Sequence, residues 1–222
     1  MAPISPIHPT PLLSSSLLSN MGLILGKITV ETPEYQLLHA TADYEIRLYG
    51  PSVVAEVTYD PAKFNGNRDG GFMLLANYIG ALGDPQNSKP EKIAMTAPVI
   101  TKPSSSPHAE TIEMTAPVVT MEGESNEVTM QFILPSNYTK AEAAPKPLDE
   151  RVVIKEEAER KFGVVKFSGT TPEKVVKDKV EKLRESLERD GYKVIGNYLL
   201  ARYNDPRTLL PFRTNEVMIL IE

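Results

Sequence analysis

Hydrophobic and polar positions along the chain change period where the sequence changes element. Residues 44–49, Tyr-Glu-Ile-Arg-Leu-Tyr, alternate apolar with polar and end at Gly50–Pro51, which predicts a strand closed by a turn. Residues 53–59 are β-branched and aromatic, a second strand. Asp60–Pro61 opens a loop that continues through the Asn/Gly-rich stretch 65–71. Residues 72–79 read as a short buried helix, with Gly80 suited to the left-handed position that ends it. Further strands are predicted at 93–101, 112–120, 128–134, 151–155, 164–167, 198–203 and 216–221. A longer helix starts at Thr171–Pro172, with Thr as N-cap and Pro in the first turn. It carries Val176, Val180, Leu183 and Leu187 on one stripe and the i,i+4 pairs Asp178–Lys182 and Glu185–Arg189 on the wet face, and it ends at Gly191.

Two kinds of internal similarity follow. Residues 93–101 and 112–120 are nearly the same sequence, with seven of nine positions identical and Met-Thr-Ala-Pro-Val at the centre of each. Pro98 and Pro117 place both copies at an edge or bulge, where no ladder donor is needed. The second similarity is weaker and longer. Shifted by 108 residues, Ile46 meets Ile154, Val57 meets Val165, Tyr59 meets Phe167, Leu75 meets Leu183 and Ile79 meets Leu187. An offset near half the chain predicts two similar halves, about 27–140 and 148–222, related by a pseudo-two-fold axis. Each half is strand, strand, helix, then strands. The expected fold is α+β: a distorted antiparallel β-barrel of about eight strands flanked by two main helices, each burying its apolar stripe on the sheet.

Composition narrows the chemistry. The 222 residues carry 24 Lys+Arg against 29 Asp+Glu, a net charge of −5, with no Cys, no Trp and three His. Without Cys there is no thiolate metal site, iron–sulfur cluster or Cys nucleophile, and three His leave little for a histidine-based metal site. The acidic balance argues against a dedicated nucleic-acid or anionic-membrane binder. No apolar run approaches the roughly 18 residues of a membrane span. Residues 1–26 open with a Pro- and Ser-rich stretch free of charged side chains at 1–20, read as a disordered extension or a weak targeting segment. Without a basic n-region or a long apolar h-region it is not expected to act as a secretory signal. No GxSxG, P-loop, GxGxxG or HExxH motif occurs, so the chain is read as non-enzymatic. Methionine stands out instead. Met73, Met95, Met114 and Met130 fall on predicted elements and suit either a core or a pocket for a flat apolar ligand.

Tyr44–Glu45–Ile46–Arg47 followed by Tyr49–Gly50–Pro51, the two Met-Thr-Ala-Pro-Val stretches at 95–99 and 114–118, and Asn215–Glu216–Val217 resemble the SOUL haem-binding protein family. The doubled stretch looks like its plant members, and the resemblance runs from about residue 30 to 222. It implies a pseudo-symmetric distorted barrel and reversible, non-catalytic binding of haem or a related tetrapyrrole, as carrier, buffer or sensor, in an apolar groove beside the first helix. Haem or protoporphyrin is then a bound ligand rather than an obligate cofactor. Carried onto this chain, the groove residues are Phe72, Met73, Leu75, Ala76 and Ile79. Some members have an axial His where this chain has Leu48, so no axial His is expected. Arg47 and Arg213 are the candidates for pairing with propionates. The resemblance further implies a monomer in the cytoplasm, or alternatively in a plastid, with a possible haem-pathway protein partner. The alternative reading is a protein-interaction or effector-binding regulatory module that uses the same groove.

Overall fold

The computed structural model describes residues 24–64, 69–103 and 127–222. The second Met-Thr-Ala-Pro-Val copy and most of the N-terminal extension lie outside them.

Among the described residues nine strands form one antiparallel sheet. In chain order they are β1 (Tyr35–Ala40), β2 (Glu45–Tyr49), β3 (Ser52–Tyr59), β4 (Val99–Pro103), β5 (Val128–Ile133), β6 (Val152–Glu157), β7 (Arg160–Ser168), β8 (Val194–Arg202) and β9 (Thr214–Ile221). Two helices complete the fold: α1 (Gly70–Ile79) between β3 and β4, and α2 (Glu173–Arg189) between β7 and β8. The strands lie in the order β1-β2-β7-β9-β8-β4-β5-β3-β6. If each strand of the first half is exchanged for its counterpart in the second (β2 with β6, β3 with β7, β4 with β8, β5 with β9), the eight-strand order is returned reversed. That is the signature of a two-fold axis passing between β4 and β8. The duplicated unit supplies eight strands, as expected; β1 is an addition at one edge. The sheet is a curled half-barrel whose two outermost strands, β1 and β6, stay unpaired with each other.

Each half has the same packing. Val53, Ala55, Val57 and Tyr59 on β3, with Val128, Met130 and Phe132 on β5, receive Leu75, Ala76 and Ile79 from α1. In the second half Val165 and Phe167 on β7, with Val217 and Ile219 on β9, receive Val176, Leu183 and Leu187 from α2. Helix and strand approach closely enough to require glycine at the contact. A Cβ on Gly71 would lie 2.5 Å from the Tyr59 ring, and one on Gly163 would lie 2.7 Å from the Leu187 methyls. The predicted helix end at Gly80 is present, with φ +76° and its N–H on the Ala76 and Asn77 carbonyls.

Three local expectations are corrected. β1 was not predicted, because all six of its side chains are exposed and leave no period-two pattern to read. The strand predicted at 93–101 begins only at Val99. The stretch before it is pinned otherwise: Ile93 N–H donates to Ile79 O at 3.0 Å, Ala97 N–H to Glu31 O at 2.9 Å, and the Thr96 hydroxyl to Ile133 O. At the start of α2, Pro172 rather than Thr171 occupies the N-cap, with no side-chain bond. Among the described residues no helix is long and apolar enough to cross a membrane.

Candidate functional site

The helices cover one face of the sheet, so strand parity assigns alternate residues to the other. Tyr49 on β2, Val54 on β3, Ile100 on β4, Ile133 on β5, Phe162 on β7, Leu199 on β8 and Met218 on β9 all point away from the helices. They converge on one chamber of about 790 Å³ inside the curl. Aromatic and aliphatic groups dominate its deeper wall, with the Tyr49 and Phe162 rings edge-to-face at 5.9 Å. Exposed residues of 31–34 and 136–140 form the rim.

Two buried polar clusters flank this wall. In the first, Arg47 is 4% exposed and donates to Glu45 at 2.6 Å, to Glu216 at 3.0 Å and to the Tyr49 hydroxyl at 3.1 Å. The Tyr35 ring lies against the guanidinium carbon at 4.3 Å. Tyr203, which also lines the chamber, donates to the other oxygen of Glu216 at 2.7 Å. Burial pushes the Tyr49 phenol up to about 12, against the pull of Arg47. Burial and then the Glu216 carboxylate push Tyr203 well above the ordinary phenol range. Both phenols are therefore neutral hydrogen-bonding groups rather than phenolates.

In the second cluster Glu56 accepts from Lys155, from Lys102 at 3.1 Å and from Gln131 at 2.6 Å. Burial alone would raise the Glu56 carboxyl, but the Lys155 and Lys102 hydrogen bonds outweigh it and hold the group below its ordinary value of 4.5. A carboxyl lowered in the folded state stabilises the fold above 4.5, and that contribution is lost as pH falls through the folded value. Urea midpoints measured from pH 6 down to pH 3 should therefore fall less steeply for Glu56→Gln than for the wild type. Parallel slopes would show that Glu56 has no such role.

The structure disperses the residues expected to bind ligand. Leu75, Ala76 and Ile79 are at most 1% exposed and are packed into the core beneath α1, so they line no open groove. They were carried over as groove residues from the family resemblance, and in sequence an apolar helix stripe looks alike whether it meets a sheet or a ligand. Phe72 is half-buried, its ring edge-on to Phe132 at 5.4 Å, and Met73 is 54% exposed on the helix surface. Arg47 is committed to its buried pair, and Arg213 donates to the Thr208 and Pro206 carbonyls. Leu48 has the parity of Ile46, which packs toward α2, and so faces away from the chamber. Of the methionines, Met130 is core and Met95 packs against it, whereas Met218 lines the chamber.

The chamber residues Phe162, Leu199, Tyr203, Met218 and Arg160 escaped sequence reasoning, although a signal for them exists. The terminal strand reads Val-Met-Ile-Leu-Ile without alternation, which marks a strand buried on both faces.

Comparison with known proteins places this geometry. The model of the SOUL heme-binding protein family matches residues 30–110 and 104–220. Human Heme-binding protein 2 is 30% identical over 199 residues, covering 86% of each chain. Among solved structures, the EcmrR C-terminal domain superposes with a TM-score of 0.53 at 10% identity, covering 85% of this chain and 98% of that one, a likeness of fold alone. From family match, identity and coverage together, the chain belongs to the SOUL haem-binding protein family.

Proposed function

We propose that this chain reversibly binds haem or a related tetrapyrrole, without catalysis, and serves as a carrier, buffer or sensor. The ring is seated in the chamber inside the curl. The observation that carries this reading is the chamber itself: about 790 Å³, open at one rim and walled by Tyr49, Phe162, Leu199 and Met218. This volume falls within the roughly 300–1,000 Å³ of small-molecule sites, and such walls suit a flat apolar ring. The group that fits here is the macrocycle rather than its metal. Among the described residues that line the chamber the side-chain nitrogens are amide, ammonium and guanidinium, and the phenols of Tyr49, Tyr138 and Tyr203 are all pushed above their ordinary value, which leaves the Met218 thioether and the rim carboxylates of Glu31 and Glu34 as weak donors to an iron. Affinity then comes from covering the ring. Burying about 300 Å² of apolar surface at about 25 cal/mol per Å² gives about 7 kcal/mol before ordering costs, which corresponds to roughly micromolar binding. That is the range of a ligand handed on, not of a fixed redox centre.

The test is an absorbance titration of residues 21–222 with haemin and with iron-free protoporphyrin. Both should saturate near one equivalent, with dissociation constants within about threefold of each other. Leu199→Trp, which fills the chamber with a ring, should weaken both about tenfold or more, whereas Phe72→Asp on the helix face should leave them within twofold. The reverse ranking would move the site to α1. A saturable protein partner captured without ligand, and unaffected by haemin, would favour an interaction module.

A further inference from the structure

A ring held by its faces can still slide and turn unless a polar group fixes it. We infer that Arg160 is that group: it anchors a carboxylate side arm of the ligand and makes the chamber selective for anionic amphiphilic rings. This rests on the reading above that the chamber holds the tetrapyrrole.

Three observations point to Arg160. First, it lines the chamber, with its guanidinium carbon 5.4 Å from the centre of the Phe162 ring, so a charge sits beside the aromatic wall. Second, its hydrogen bonding is incomplete. One terminal nitrogen meets Glu157 at 3.0 Å, while its Nε is buried and has no acceptor. A buried donor on a charged group without an acceptor is costly, and an acceptor brought by a ligand removes that cost. Glu157 cannot saturate the guanidinium, because its other oxygen is taken by Gln131 Nε2 at 3.0 Å. The side chain is also 29% exposed, so a small rotation presents its planar fork to the chamber. Third, Arg160 ends a positively biased network: among the described residues Lys102, Lys155 and Arg160 are joined through Glu56, Gln131 and Glu157, three cations to two anions, along one connected chain of hydrogen bonds that reaches the chamber at Gln131 and Arg160.

The other charges near the chamber are already accounted for or repel an anion. Arg47 is committed through its Nε and one terminal nitrogen to Glu45, Glu216 and Tyr49. Lys140, at the rim, is 70% exposed and paired with Glu156 at 3.3 Å, a solvated contact worth little. Glu31 and Glu34 at the rim are acidic. A carboxylate entering with the ring is thus directed to the Arg160 wall, where the guanidinium offers a two-point contact that an ammonium cannot.

Protoporphyrin IX and its dimethyl ester differ only in the two carboxylates, and this separates the two ideas. Wild-type protein should bind the diacid about tenfold more tightly than the diester, as a charge-assisted contact implies. Arg160→Gln should abolish that preference by weakening the diacid alone and leaving the diester within twofold. Arg160→Lys should keep only part of it. Unchanged urea midpoints confirm that the variants remain folded. If the diacid and diester bind wild type equally, or if Arg160→Gln weakens both alike, the anchor is wrong while the chamber stands. If neither porphyrin binds wild type, the chamber reading itself falls, and the anchor with it.

Discussion

Replacing Glu216 by Ala should lower the unfolding free energy by about 3 kcal/mol, because it strips the buried Arg47 of its one fully buried counter-charge. Both side chains are 4% exposed and meet at 3.0 Å. What remains to Arg47 is Glu45, whose side chain is 39% exposed, and the Tyr49 hydroxyl. Tyr203 loses its acceptor at the same stroke. For a chain of this size the loss corresponds to a fall in Tm of about 6–12 °C.

The size of the effect measures an unpaired charge, not the worth of the pair. Attraction between two buried ions is largely offset by their desolvation, so removing both partners costs far less than removing one. Arg47→Met combined with Glu216→Leu should therefore recover most of the stability lost by Glu216→Ala. Glu216→Gln should fall between, since an amide still accepts from Tyr203. Urea unfolding of the wild type, Arg47→Met, Glu216→Leu and their combination closes the cycle and gives the coupling directly. If the double variant is as unstable as Glu216→Ala, the pair is a net source of stability and the offset proposed here is absent. The same cluster holds the hydroxyls of Tyr49 and Tyr203 on the chamber wall. Any affinity change in these variants should track the two phenols rather than net charge.

The halves were legible in the sequence because an offset of 108 aligns β2 with β6 and β3 with β7 almost residue for residue, and it places α1 inside the span of α2. The offset fails beyond the helices. Ile133 pairs with Val54 as Leu220 pairs with Phe162, a separation of 87, because the first half carries the longer connection after its helix. The site was less legible for a physical reason. A helix stripe announces itself at a period of 3.6, whereas the chamber is built from one to three residues on each of seven strands. Those residues become neighbours only when the sheet curls. Arg47 shows the same limit. Its place in an alternating strand resembles that of a solvated arginine, and only the fold reveals Glu216, 169 positions away, as its partner. The overall family pattern was readable from Met-Thr-Ala-Pro-Val and its flanks. The face of the sheet that lines the chamber was not.

Leu75→Ala should separate core from site most sharply. Leu75 is fully buried among β3, β5 and the rest of α1. Truncating a leucine in such a place costs about 2–5 kcal/mol, the transfer term plus the cavity that remains. A Tm lower by several degrees is therefore expected, with porphyrin affinity of the folded protein unchanged within twofold. The chamber lies on the opposite face of the sheet from α1, so a void beneath the helix removes no wall of it. Leu199→Trp should have the opposite signature: lost affinity at nearly constant stability, since Leu199 is only half-buried and its side chain points into open volume. Titrations at 15 °C, where both variants remain folded, allow the comparison. If Leu75→Ala instead weakens porphyrin binding about tenfold with its stability intact, the ring must reach α1, and Leu75 is a contact rather than a part of the core.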